Sequence, residues 1–194
     1  MIRDERMSIP FRSNDSDDAR AAAFLRVIRD AEGGYDGVLF VMNAKGEPLE
    51  FVYSRVETPR TLLWRRRDLR RRAAQELTTA LFGAATSRPS VIFAKADEVE
   101  PGFFINDVET PVATCRITDQ MASVSTGASE QGEDMDAEGL HLLWSAGSPP
   151  EGSPERTLVE SLQSAGLLTE PFERAEAGLR EARGEDVSGL GAAH

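Results

Sequence analysis

Tyr35-Asp36-Gly37-Val38-Leu39-Phe40-Val41-Met42-Asn43 is followed, after Ala44-Lys45-Gly46-Glu47, by Pro48-Leu49-Glu50-Phe51-Val52-Tyr53-Ser54-Arg55. The run from Val38 to Met42 is unbroken and apolar, and too short between its glycines for a helix. It predicts a strand buried on both faces. In the second segment Leu49, Phe51 and Tyr53 alternate with Glu50, Val52 and Ser54, the period of a strand with unlike faces. Gly46 can supply a positive φ in the turn between them, and Pro48 opens the second strand. An antiparallel hairpin is therefore the seed of the fold.

On its C-terminal side comes Thr58-Pro59-Arg60-Thr61-Leu62-Leu63-Trp64-Arg65-Arg66-Arg67-Asp68-Leu69-Arg70-Arg71-Arg72-Ala73-Ala74-Gln75-Glu76-Leu77, running on to Gly83. Thr58 is a good N-cap, Pro59 suits the first helical position, and Gly83 is a C-terminal stop. Leu62, Leu69, Ala73, Leu77 and Ala80 share a stripe widened by Leu63, Ala74 and Leu81, which predicts a long amphipathic helix lying on a sheet. Arg66 and Arg70 fall inside that stripe, and Arg67 and Arg71 flank it. Either the first turns overhang the sheet with their arginines in solvent, or they form a basic ridge for an anion or an acidic partner.

The rest of the chain builds around these elements. Residues 1–15 read as a disordered arm. Ser16 or Asp17 can cap a helix through about Glu32, with Ala21, Phe24, Leu25 and Ile28 at helical spacing and Gly33-Gly34 ending it. Ser90–Ala96 and Pro111–Ile117 predict further strands, with the short apolar segment Phe103-Phe104-Ile105 between them, and Gly139–Trp144 predicts a last strand. Residues 118–138 are Ser/Gly-rich and acidic, and read as a mobile loop. Residues 146–154 form a Pro/Gly/Ser linker, and 155–183 two short amphipathic helices, the second carrying Phe172, Ala175 and Leu179. Residues 184–194 read as a disordered tail. The expected architecture is α+β: about five mostly antiparallel strands, spanning residues 16–145, with helices on the sheet faces.

Charge is unevenly placed. The chain of 194 residues has formal net charge −11, yet residues 60–72 hold seven arginines and one aspartate, a local +6 that leaves −17 elsewhere. The acidic total opposes non-specific binding of nucleic acid or anionic membrane by the whole molecule. No apolar run approaches the ~20 residues of a membrane helix. The N-terminal segment lacks the apolar stretch of a secretory leader, and the single cysteine, Cys115, suits a reducing compartment, so a cytoplasmic location is expected.

Phe24-Leu25-Arg26-Val27-Ile28, the Gly33-Gly34 break, Gly37-Val38-Leu39-Phe40-Val41 and the Gly46 turn resemble the first half of Roadblock/LC7-type domains over about residues 18–117. The resemblance implies the order helix, two strands, long helix, three strands. It also implies a small, non-catalytic, dimerising module that regulates or scaffolds nucleotide-hydrolysing partners. Ala44-Lys45-Gly46 departs from the family's acidic-Gly turn, as does the arginine-crowded helix.

Candidate chemistry is sparse. No glycine-rich phosphate loop is present. Two histidines, His141 in a strand and terminal His194, and one cysteine make transition-metal and His-assisted nucleophilic sites improbable; no metal or cofactor is expected. Glu50 and Asp97 are the carboxylates suited to a metal-dependent hydrolase or nuclease, although Phe93 stands where an acidic residue two before Lys95 is needed. Glu50 is otherwise expected to pair with Arg66 or Arg70. Trp64, Arg66, Arg67, Arg70 and Arg71 are the candidate partner- or anion-binding residues. The expected function is a non-enzymatic accessory or scaffold module. It would bind a protein partner or a second copy of itself through the arginine-rich helix, a sheet edge or the C-terminal helices, with nucleic acid contacted at most indirectly.

Overall fold

The computed structural model describes residues 7–10, 20–58, 65–108, 110–135 and 139–184. Its strands are β1 (Met7–Pro10), β2 (Ala21–Arg29), β3 (Tyr35–Asn43), β4 (Pro48–Val56), β5 (Val91–Lys95), β6 (Ala113–Thr118), β7 (Gln131–Met135) and β8 (Leu140–Trp144). They make one eight-stranded sheet in the order β1-β4-β3-β2-β5-β6-β8-β7. Helix α1 (Arg66–Ala84) covers one face, and α2 (Pro154–Ser164) and α3 (Glu170–Ala182) cover the other. The α+β expectation holds. The sheet is mixed, because β2–β5 and β5–β6 are parallel while the remaining ladders are antiparallel.

Three segments differ from expectation. Residues 21–29 form the central strand β2 where a helix is predicted. Ala21-Ala22-Ala23-Phe24-Leu25 continues into Val27-Ile28 with one interruption, Arg26, and both faces of this strand are covered by helices. A strand sandwiched in this way needs apolar residues at every position, so it also satisfies helical spacing by accident. Gly33, at φ 96°, turns a β2–β3 hairpin instead of ending a helix. The helix-first order implied by the Roadblock/LC7 resemblance accordingly differs from the strand found here. Residues 7–10, expected in a disordered arm, form edge strand β1 against β4, with Pro10 at the strand end where a missing N–H is tolerated. Within the expected acidic loop, residues 131–135 form β7 on β8, and Glu130 is buried.

A row of large side chains crosses the α2/α3 face in register: Phe51, Phe40, Phe24, Phe93, Cys115 and Trp144, from β4 to β8. Phe172 of α3 meets the Phe24 ring edge-on at 5.2 Å, a geometry that contributes roughly 0.5–1.5 kcal/mol beyond area burial. Cys115 is a core residue of this row, and burial pushes its thiol well up from its ordinary value. On the opposite face Ala73, Ala74, Leu77 and Leu81 of α1 pack on Leu39, Val41, Leu25 and Ile92.

Close helix approach is written into two glycines. A Cβ on Gly37 of β3 would lie 3.0 Å from Leu77 and Leu81 of α1, and one on Gly178 of α3 would lie 2.7 Å from the Phe51 ring. The C-terminal helices, which the linker composition suggested as an outward-docking element, thus lie on their own sheet. Leu158, Val159, Leu162, Phe172, Ala175 and Leu179 are all buried there. Ser153 caps α2 by accepting from the Arg156 N–H at 3.1 Å. Among the described residues no helix is long and apolar enough to cross a membrane.

Candidate functional site

Chain connectivity places a crevice at one end of the sheet. After β2 the chain lays β3 and β4 to one side, then crosses through α1 to put β5 on the other side, parallel to β2. The carboxyl ends of β2 and β5 therefore diverge at a topological switch, the usual place for a ligand crevice in an open sheet. Helix α1 begins over the same edge.

Helix α1 starts at Arg66, so its first turns overhang the edge and the exposed arginines stand in solvent. The predicted cap, Thr58, instead donates its hydroxyl to the Gly33 carbonyl at 2.7 Å. Pro59 and Trp64 lie outside the described residues. The arginines meet the segment that leaves β5. Arg67 Nε donates to both Glu100 carboxylate oxygens at 3.0 and 2.7 Å. Arg70 Nη1 donates to the Asp97 carbonyl at 3.1 Å, and its Nη2 lies 3.6 Å from Glu100. Arg71 forks onto Asp107 through Nε at 2.9 and 2.8 Å and Nη2 at 2.7 Å, contacts that hold its pKa above the ordinary value.

Three of the four predicted ridge arginines thus join an ionic seam with the β5–β6 connection. Arg66 does not, and among the described residues it has no ionic or hydrogen-bonding partner. It lines a cavity of about 380 Å³ with Arg29, Arg67, Arg70, Tyr35, Asp97 and Glu98. Arg29, the last residue of β2, is likewise unpartnered among the described residues. Among the described residues four guanidiniums against two carboxylates leave this lining at net +2. Tyr35 is only 3% exposed, and among the described residues its hydroxyl has no partner.

Of the two carboxylates, Glu98 is committed. It accepts from Arg26 Nε at 2.7 Å and from the Val27 N–H at 2.8 Å. Burial raises its pKa, against the lowering influence of Arg26. Asp97 is exposed, and also borders a cleft of about 760 Å³ on the α3 side of the same edge, where Asp119 and Glu173 stand.

Glu50 is elsewhere, and both expectations for it need correction. Its carboxylate accepts from the Thr86 N–H at 2.8 Å, the Thr86 hydroxyl at 3.0 Å and the Ser87 N–H at 2.7 Å. Thr86 follows Arg70 by 16 residues, roughly 24 Å of helix, so Glu50 pairs with neither Arg66 nor Arg70. Nor does it meet Asp97. Glu50 is level with Ile92 through Val41 and Ala23, which puts Asp97 about 16 Å further along and 14 Å across the sheet. His141 is a strand residue, its Nδ1 2.6 Å from Asp134 on β7, and His194 lies outside the described residues. Among the described residues no group of three or more His, Cys, Asp or Glu could hold a metal ion.

Sequence reasoning found the arginines of α1 but missed Arg29, Tyr35, Glu98 and Glu100. The available signal was Arg26 and Arg29 in a nearly continuous apolar run; a strand period there puts Arg29 on the α1 face. No protein-family model matches this chain, and no curated protein matches it in sequence.

Proposed function

We propose that the chain is a non-enzymatic recognition module, an accessory subunit that docks an acidic segment of a protein partner in the arginine-lined pocket. The carrying observation is that Arg29 and Arg66, from different elements and both unpartnered among the described residues, line one cavity at the strand ends. Their planar forks suit carboxylate oxygens and keep their charge at every physiological pH. Among the described residues of the pocket, Glu98 is held by Arg26 and Val27, which leaves Asp97 as the carboxylate without a partner there. A short acidic segment is favoured over nucleic acid because Asp97 and Glu98 stand in the lining, Glu100 stands on Arg67, and the chain carries −11 overall.

Fluorescence anisotropy with a labelled glutamate-rich peptide tests this. The wild type should bind, more weakly as salt rises. The Arg29→Glu/Arg66→Glu variant should lose binding with Tm unchanged within about 2 °C, as expected for exposed positions. Equal binding by the two proteins, or none by the wild type, removes the proposal.

A further inference from the structure

We infer that the pocket of Arg29, Arg66 and Tyr35 is built for a phosphomonoester, carried on a phosphorylated serine or threonine side chain of the partner. This inference rests on the docking function proposed above and narrows its ligand.

Charge is the first ground. The lining has net +2, and a phosphomonoester carries about −1.5 to −2 at neutral pH where a glutamate carries −1. Donor capacity is the second. Arg29 and Arg66 each offer a guanidinium fork without a partner among the described residues, and a carboxylate has only two oxygens to share between two forks. A phosphoryl group has three strongly accepting oxygens and can take both forks with an acceptor to spare.

Tyr35 is the third ground, and it does not depend on the arginines. It is 3% exposed, lies at the start of β3 and lines the pocket. Its ring is buried, while its hydroxyl oxygen stays within reach of solvent. Among the described residues the hydroxyl has no partner, so it offers a neutral donor to the third oxygen. The carboxylates at hand, Asp97 in the lining and Glu100 on Arg67, favour one compact anion over a chain of phosphates.

The test compares one peptide in three forms, with serine, glutamate or phosphoserine at its centre, titrated into the full chain by calorimetry. The phosphoserine form should bind about tenfold or more tightly than the glutamate form, and the serine form weakest. Arg29→Ala and Arg66→Ala should each weaken the phosphoserine form about tenfold. Tyr35→Phe should weaken it severalfold while leaving the glutamate form and the Tm unchanged. Glutamate and phosphoserine forms binding equally well would overturn the phosphate inference and leave acidic docking standing. Absence of binding by both would remove both. Two competition arms address the source. Inorganic phosphate binding as tightly as the phosphopeptide would make the ligand a free anion. Displacement of the phosphopeptide by a lower concentration of 5′-phosphorylated single-stranded oligonucleotide would make it a nucleic acid. Either result overturns the assignment to a protein side chain.

Discussion

The arginines inside the sheet and those at its edge are in opposite states. Arg116 of β6 and Glu130 are each 1% exposed in their side chains and joined by two contacts of 2.7 Å. The remaining donors of Arg116 reach the carbonyls of Ala96 at 3.2 Å, Val99 at 3.0 Å and Ser125 at 2.9 Å. Arg26 of β2 is caged similarly, by Glu98 at 2.7 Å, the Phe172 carbonyl at 2.9 Å and Glu176 at 3.3 Å. Arg29, three residues on, and Arg66 have no partner among the described residues. A buried charge survives only where protein dipoles and counter-charges replace its water shell, which ties up all three nitrogens of Arg116 and the Nε and Nη1 of Arg26. At the edge water does that work, so the donors stay available and a ligand can displace the water. The chain thus carries one residue type as a structural clamp and, at the edge, as the exposed group proposed above for recognition, divided by burial.

The sharpest way to break this contrast is Arg116→Met, which strands Glu130 as a buried unpaired charge. The expected loss is about 3–5 kcal/mol, or a Tm lowered by roughly 6–20 °C at this chain length. Arg116→Met/Glu130→Leu should recover most of it in urea denaturation, because two apolar side chains remove the orphan charge. If the double variant is no better than the single one, the pair's value lies in tethering residues 125–130 rather than in charge compensation.

Arg26→Met should cost less, about 2–3 kcal/mol, since Glu176 is partly solvated. Its distinguishing sign is hydrogen exchange. Amides of α3 should lose protection more than those of α1, as Arg26 ties β2 to the Phe172 carbonyl. Uniform loss across both helices would show that the clamp is global.

Glu50→Gln is expected to cost about 1–2 kcal/mol at pH 7, with a pH dependence of defined sign. Burial opposes the Glu50 charge, but the N–H groups of Thr86 and Ser87 and the Thr86 hydroxyl outweigh it and hold the carboxyl below its ordinary 4.5. A depressed folded-state pKa gives stability that is complete above 4.5 and lost as pH falls through the lower folded-state value. The gap between wild type and variant should therefore be full at pH 7 and narrow below pH 4.5. A gap that widens on acidification would reverse the assignment. The smallest stability effect belongs to Arg29→Ala and Arg66→Ala, within about 0.5 kcal/mol each. A larger loss in denaturation would make them clamps too and dissolve the contrast.

Legibility followed the asymmetry of each segment. The β3–β4 hairpin was readable because its first strand is wholly apolar, its second alternates, and Gly46 at φ 82° turns between them. The C-terminal half of α1 and both later helices were readable because each has one apolar stripe. The order of β2 was not, since a strand covered on both faces has no polar side to reveal its period. β7 was hidden because an acidic edge strand facing solvent has the composition of a loop, and Glu130 and Glu133 find Arg116 and Arg156 only through the fold.

Local sequence determined the hairpin, the helix caps and stripes, the α+β class and the concentration of arginine at the start of α1, because these depend on neighbours a few residues apart. Tertiary structure decided which arginines are clamps and which have no partner among the described residues. Arg26 and Arg29 stand three residues apart in one strand, yet only Arg26 is clamped. The partners of the clamped arginines lie up to 150 residues away. The antiparallel β2–β3–β4 pairing brings Arg29 and Tyr35 to the edge where α1 starts, and the parallel pairing of β2 with β5 brings Asp97 and Glu98 there. Solvation, and with it the fate of each charge, is a property of that assembled neighbourhood.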